Sequence, residues 1–76
     1  MPAYFVKFRE LNHHQVVVLH NKEYRTWQVV KPVDAADEAT IHKHAARLSQ
    51  NEVEILEIRL MTKDEAYIFD DRIDLT

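Results

Sequence analysis

The sequence predicts a small α+β protein in which one helix packs across an antiparallel β-sheet, in the order β-β-β-α-β-β. One stretch, residues 34–50, combines a helix-forming composition with the helical spacing of its apolar residues. The stretches on either side of it either alternate between apolar and polar residues or are continuously apolar, and both patterns are typical of β-strands. The 76 residues fit one small domain, 1–76, which buries only about 60% of the surface of its unfolded chain.

The first strand is predicted over residues 3–9, where apolar and polar side chains alternate. One face of this strand is apolar: Tyr4, Val6 and Phe8. The opposite face places an aromatic ring beside two cations: Phe5, Lys7 and Arg9. A connection around Asn12 would then lead to the next strand, because asparagine is the residue after glycine that best tolerates a tight turn.

Residues 15–20 and 24–31 predict a hairpin, with an Asn-Lys pair at 21–22 as its turn. The run VVVL in the first of these strands is apolar on both faces, which indicates an interior strand. The helix can cover only one face of the hairpin, so the other face needs a second cover. A homodimer or a partner protein would supply it.

The helix is predicted over residues 34–50, with Asp34 as its N-cap and five alanines that favour helix. Pro32 lies immediately upstream, and we expect it to end the preceding strand. Asn51 can take the left-handed conformation that ends a helix.

Two stripes run along this helix. One would contact the core: Ile41, Ala45 and Leu48. The other carries alanines, with Glu38 and His42 beside it, and it either packs closely on the sheet or forms a shallow contact surface. Glu38 and His42 are four residues apart, so they would form a helix-stabilising pair or a pH-sensitive contact.

Residues 52–61 fit two structures. Ser49 and Glu52 have the spacing of a capping box, which would begin a second helix. The β-branched residues of this stretch favour a strand instead, as does the period of two over Leu56, Ile58 and Leu60. The strand is the preferred interpretation.

The end of the chain is predicted to return as a strand. A hairpin at 63–64 would place Tyr67 and Phe69 on the same face as the apolar residues of the strand before it. Residues 70–76 form a polar, acidic tail, with Ile73 and Leu75 suited to a short edge strand.

The composition argues against several kinds of site. There is no cysteine for a disulfide or a thiolate ligand, and no glycine for a phosphate-binding loop. The five histidines lack any spacing that brings two of them onto one ion, so neither a metal site nor a cofactor is expected. No apolar run approaches the roughly 20 residues of a membrane span. A cytoplasmic protein without membrane contact is expected.

The net charge of −3 is unevenly distributed. Residues 1–33 carry five Lys or Arg against two Glu, and residues 34–76 carry five against eleven Asp or Glu. The acidic half would suit a basic protein partner, because complementary charge steers association. The residues expected to contact a protein partner are Glu38, His42, Glu52, Glu54, Glu57, Asp70 and Asp71.

A second interpretation places single-stranded nucleic acid on the more basic N-terminal sheet face. Aromatic rings that stack on bases, beside cations that pair with phosphates, are typical of such a surface. The acidic overall charge and the lack of a dense basic patch make nucleic acid the less favoured partner. The residues of this alternative are Phe5, Lys7, Arg9, Arg25, Trp27 and Lys31.

The sequence therefore predicts a non-enzymatic protein-binding module that acts as an inhibitor, regulator or accessory subunit. No enzyme is expected. An acid–base pair such as Glu38 and His42 needs a pocket and a nucleophile or oriented water, and the sequence indicates neither. Small chains without catalytic motifs include inhibitors and accessory proteins of phages and mobile elements, such as anti-CRISPR proteins. Only size and the lack of motifs connect this chain to them.

Overall fold

The computed structural model describes residues 2–11 and 27–76, and for Leu11 and Trp27 the backbone alone. The strands within these residues are β1 (Ala3–Leu11), β2 (Trp27–Asp34), β3 (Glu52–Leu60) and β4 (Ile73–Asp74). The helices are α1 (Glu38–Lys43), α2 (Lys63–Ile68) and a 3₁₀ helix (Ala45–Leu48). None of the helices in the described ranges is long and apolar enough to cross a membrane.

The four strands form a mixed sheet in the order β3-β1-β2-β4. β1 is antiparallel to β2 and to β3, whereas β4 runs parallel to β2. The predicted α+β class is confirmed, but the antiparallel sheet with one helix across it is wrong. The order in the described residues is β-β-α-β-α-β. The chain crosses by way of α2 to the far edge of the sheet, and there β4 runs in the same direction as β2.

One face of the sheet carries the core. Val6, Phe8 and Val33 have no exposed surface, and they cluster with Ile41 of α1 and Leu48 of the 3₁₀ helix. The prediction that Ile41 and Leu48 are the core contacts of the helical segment is therefore confirmed. Burial of such side chains stabilises the fold by about 25 cal/mol per Å² of apolar surface.

The helical segment is shorter than predicted. Asp34 is the last residue of β2, and the N-cap of α1 is Asp37, whose carboxylate accepts from the Thr40 backbone N–H at 2.8 Å. Pro32 does not end β2; it lies inside the strand, opposite Phe5 of β1. Proline is tolerated there because β4 pairs only with Val33 and Asp34, so the β4 side of β2 makes no ladder bond at residue 32 among the described residues.

The strand predicted over residues 52–61 is confirmed as β3, but its period of two is broken. Ile58 lies opposite Val6 and Ile55 lies opposite Phe8, with a β-bulge between them. The bulge adds one residue, Leu56, so Ile55 and Ile58 both pack against the core although they are three residues apart. Of the predicted apolar face, Ile58 and Leu60 do lie on one side, opposite Val6 and Tyr4, but the inclusion of Leu56 is wrong because the bulge takes it out of the alternation.

The hairpin predicted at 63–64 is also wrong, because residues 63–68 form α2. Thr62 and Glu65 form a capping box at the start of this helix. The Thr62 hydroxyl accepts from the Glu65 backbone N–H at 3.2 Å, and the Glu65 carboxylate accepts from the Thr62 backbone N–H at 3.0 Å. These bonds satisfy two donors that a helix start leaves unpaired, and they favour helix over a strand.

The acidic end of the chain is part of the fold. β4 forms the short edge strand expected there, and Leu75 is buried after it. The Leu75 backbone N–H donates to the Asp34 carbonyl at 2.8 Å, and Arg47 donates to the Asp74 carbonyl at 3.0 Å. The predicted strand 15–20, its turn at 21–22 and the first residues of the strand after it lie outside the described residues.

Candidate functional site

The outer face of the sheet is the face opposite the core. Its side chains form rows across β3, β1 and β2: Arg59, Phe5 and Pro32; Glu57, Lys7 and Val30; Glu54, Arg9 and Gln28. In two of these rows a cation of β1 stands directly opposite a glutamate of β3. The basic and acidic halves of the sequence are thus brought side by side, and much of their charge is compensated within the sheet.

A groove of about 340 Å³ lies between the outer face and the end of α2. We call it the Phe5 groove. Its lining combines apolar side chains with charges of both signs: Phe5, Lys7, Val30, Glu57, Arg59, Glu65 and Phe69. Two strands, β1 and β3, and the segment around α2 therefore contribute charged groups to a partly apolar site.

Phe5 is contacted by an aromatic ring and by a cation. The Phe69 ring meets it edge to face, with centroids 5.3 Å apart and an interplanar angle of 89°. The Arg59 guanidinium lies 4.7 Å from the centroid of the same ring. Both geometries are attractive, because the positive edge of a ring and the positive guanidinium are each attracted to the electron-rich face of an aromatic ring. They fix the position of α2 against the sheet.

Glu65 connects this cluster to the helix cap. Its two carboxylate oxygens accept from the two terminal nitrogens of Arg59 at 3.1 and 3.0 Å, in a bidentate pair. The hydrogen bonds from Arg59, followed by that from the Thr62 backbone, lower the pKa of Glu65 to about 2. The same pairing raises the pKa of Arg59. Glu65 is therefore ionised at neutral pH and held as an acceptor.

The third row contains another ion pair. Arg9 of β1 donates to Glu54 of β3 at 3.3 Å, across the strands. The Nε of Arg9 is buried without a hydrogen-bond partner among the described residues. Glu54 engages one of the two terminal nitrogens, Nη1, so a phosphate at Arg9 would compete with this ion pair.

Two large apolar side chains that line the groove are exposed, and two more are exposed on α2. Val30 of β2 is 56% exposed and Phe69 is 41% exposed. On α2, Tyr67 is 86% exposed and Ile68 is 69% exposed. Scattered apolar residues are normal on a surface, but neighbouring ones around a groove are typical of an interaction site.

The residues predicted to bind a protein lie on two sides of the fold. Glu38 and His42 are both exposed on α1, which packs on the core face, and no hydrogen bond joins them in the described structure. The acidic residues of β3 belong to the outer face or its edge, and two more follow α2: Glu52, Glu54, Glu57, Asp70 and Asp71. The second group, together with the Phe5 groove, is the one that forms a surface.

The residues of the nucleic-acid alternative are also separated. Phe5, Lys7 and Arg9 share the outer face, whereas Lys31 lies opposite Val6 on the core face. Lys31 donates there to the Leu48 carbonyl at 2.9 Å. Arg25 lies outside the described residues, and the backbone of Trp27 pairs with that of Glu10.

Metal ligands do not cluster in residues 2–11 and 27–76. No group of three or more His, Asp or Glu side chains there could hold an ion. Three of the five histidines, at positions 13, 14 and 20, fall outside those ranges.

Four residues of the groove were absent from both predicted sets: Val30, Arg59, Glu65 and Phe69. A sequence signal existed for one of them. Thr62 and Glu65 have the capping-box spacing, which indicates a helix that begins at Lys63 and gives Glu65 its place at the start of it. Nothing in the sequence pattern indicates that Val30 remains exposed.

The chain matches no protein-family model, no curated protein and no solved structure.

Proposed function

We propose that this chain is a small, non-enzymatic protein-binding module, which acts as an inhibitor, regulator or accessory subunit through its outer face. The observation that carries the proposal is the Phe5 groove with its exposed apolar neighbours Val30 and Phe69. Apolar side chains surrounded by charged ones resemble the core and rim of a protein interface.

The charges around the groove support a protein partner over a nucleic acid. Arg59 and Arg9 are each paired with a glutamate, so binding a phosphate would require breaking those pairs. Asp70 and Asp71 are exposed directly after Phe69. A partner that covers Phe69 would meet these carboxylates, which favours a basic group at that point of its surface.

The groove chemistry also supports binding over catalysis. A general acid needs a pKa near the working pH, so that it carries a proton to donate. Hydrogen bonds from Arg59 and from the Thr62 N–H hold the pKa of Glu65 at about 2 instead. The Glu65 carboxylate holds the start of α2 and the Arg59 guanidinium in place. Its role is therefore structural, as expected for a residue of a binding surface.

The proposal is tested by capture from a lysate of the source cell, with tagged wild-type protein and with two variants. Val30→Lys places a charge in the apolar part of the outer face. Ala39→Lys is the matched control, because it adds the same side chain at an exposed position of α1 on the other side of the fold.

We expect a stoichiometric protein partner that survives nuclease treatment, is kept by Ala39→Lys and is lost with Val30→Lys. Equal capture by the two variants would exclude the outer face as the binding surface. Association that disappears with nuclease would instead favour the single-stranded nucleic-acid alternative, and it should then weaken steeply with salt.

A further inference from the structure

β3 is an edge strand in the described part of the chain. It stands first in the order β3-β1-β2-β4, and only β1 pairs with it. An edge strand presents a row of backbone N–H and C=O groups to any strand that matches it. For β3 the match is set by its bulge.

The directions of the backbone groups follow from two hydrogen bonds. The Met61 N–H donates to the Ala3 carbonyl at 2.8 Å, and the Ala35 N–H donates to the Pro2 carbonyl at 3.3 Å. The backbone N–H and C=O groups of Ala3 and of every second residue after it in β1 therefore point toward β3, because the direction of these groups alternates along a strand. Arg9 is one of these residues, so the backbone groups of its partner Glu54 point toward β1.

In β3 the backbone groups of Glu54, Glu57 and Arg59 point toward β1, because they pair with Arg9, Lys7 and Phe5. The backbone groups that point away from β1, toward the free edge, belong to Val53, Ile55, Ile58 and Leu60. A regular strand offers such groups at every second residue. Here the bulge at Leu56 separates Ile55 from Ile58 by three residues. A regular strand can span the bulge, as β1 does, but an antiparallel strand with the same bulge presents the same spacing of three residues and matches it group for group.

We propose that β3 pairs with β3 of a second copy of this chain, antiparallel and about a two-fold axis that passes through the bulge. Ile55 then pairs with Ile58 of the second copy, and Val53 pairs with its Leu60. Each of these pairs exchanges both backbone hydrogen bonds. Leu60, which is 58% exposed in one copy, is covered by the Val53 of the other.

Two symmetry-related pairs of side chains in this register are complementary in charge. The register places Glu54, already paired with Arg9, opposite Arg59 of the second copy, already paired with its own Glu65, so that the four groups alternate in sign on the outer face; symmetry repeats this arrangement on the other side of the axis. Opposite charges at directly facing positions stabilise paired strands, whereas like charges oppose pairing. The same surface serves both copies, as in any two-fold interface.

The pairing also extends the proposed function, although it does not depend on it. A two-fold axis perpendicular to the sheet keeps both outer faces on the same side. The dimer would then present two Phe5 grooves to one side, and a partner with two copies of its own binding surface would gain avidity.

The oligomeric state is tested by sedimentation equilibrium over a range of concentrations. We expect a reversible dimer, which Leu60→Pro abolishes, because proline removes an outward N–H and none of the bonds to β1. Ile68→Lys is the control, since it changes an exposed apolar residue of α2 that lies outside the paired edge. A monomer at all concentrations, or a dimer that Leu60→Pro leaves intact, would overturn the proposal.

The register is tested with cysteines, which the chain otherwise lacks. In a facing pair of this kind the Cα atoms lie about 4.5 Å apart, within the range of about 4.4–6.8 Å that a disulfide spans. A mixture of Glu54→Cys and Arg59→Cys should cross-link on air oxidation well above either variant alone. The control mixture, Glu52→Cys with Arg59→Cys, is two residues out of register and should not.

The two cysteine mixtures also decide the case in which Leu60→Pro fails to fold, as circular dichroism would reveal. Equal cross-linking in both mixtures, or none in either, would reject this register. Failure here leaves the capture experiment with Val30→Lys unaffected, so the dimer and the partner surface can fail independently.

Discussion

Glu65 combines a structural role at a helix start with an ion pair on the sheet. The carboxylate accepts from Arg59 and from the Thr62 N–H, and both partners favour its charged form. Because the residue is exposed, the net contribution of the pair is reduced by solvent screening. Its dependence on pH nevertheless has a definite sign and range.

The first prediction concerns that pH range. The pKa of Glu65 falls from its ordinary 4.5 to about 2 on folding, so the folded state binds the proton less tightly than the unfolded chain. The stabilisation is complete above pH 4.5 and is lost as the pH falls through about 2. In Glu65→Gln the amide can still cap the helix, but it does not titrate.

Urea unfolding of both proteins between about pH 5 and pH 2 checks this sign. The unfolding free energy of the wild type should fall more steeply toward low pH than that of Glu65→Gln. The pKa values of Asp37 and Asp74 are also lowered, but both residues are present in both proteins and cancel in the comparison. Parallel curves, or a carboxyl titration of Glu65 by NMR near 4.5, would contradict the assignment.

At the scale of elements, Arg72 joins α2 to the end of β2. Its Nε lies 3.0 Å from both carboxylate oxygens of Asp34. Its Nη1 donates to the Phe69 carbonyl at 2.6 Å and also to the Ala66 carbonyl. A cation at the C-terminal end of a helix meets the negative end of the helix dipole as well. Arg72 is partly buried, so these bonds are less screened than those of surface pairs.

We therefore expect Arg72→Ala to lower the free energy of unfolding by roughly 1.5–3 kcal/mol, as is typical of hydrogen bonds to charged groups. Arg72→Lys should recover little of it, because an ammonium cannot reproduce the planar fork. Arg47→Ala is the matched control: Arg47 donates one exposed bond to the same end of the chain. Denaturant unfolding of the three variants measures the difference, and equal losses for Arg72→Ala and Arg47→Ala would contradict it.

The elements also differ in how far the sequence predicts them. β3 is predicted from its three β-branched residues, Val53, Ile55 and Ile58. Its bulge is not predicted, since it results from fitting Ile55 and Ile58 to the same core. α2 is missed although the Thr62–Glu65 capping box indicates it, because the apolar Tyr67 and Phe69 suggest a returning strand. The start of α1 moves to Glu38 because pairing with β1 and β4 keeps Asp34 in the sheet.

At the scale of the whole molecule, the sheet order decides what the charge pattern means. The sequence separates basic and acidic halves, which suggests two ends with opposite charge. The sheet places acidic β3 beside basic β1, so cross-strand pairs compensate charges that lie far apart in the chain. Fewer of the charged side chains of β1 and β3 are therefore available to a partner. The partly apolar Phe5 groove becomes a stronger candidate for the binding site than these charges.

The last prediction tests this compensation with a double-mutant cycle at Lys7 and Glu57, which face each other across β1 and β3. Lys7→Glu puts two like charges opposite each other and should cost roughly 0.2–1 kcal/mol of stability. Glu57→Lys should cost more, since Glu57 also lies near Arg59. The double variant should regain part of the loss, because it restores one attractive pair.

Unfolding in urea at low and high salt measures the cycle. Screening weakens interactions between exposed charges, so the coupling energy should shrink as salt is added. A double variant that loses the sum of the two single losses would show that Lys7 and Glu57 do not interact. The Lys7 ammonium would then be free to meet an anionic group of a partner, and the cross-strand compensation argued here would not apply to that row.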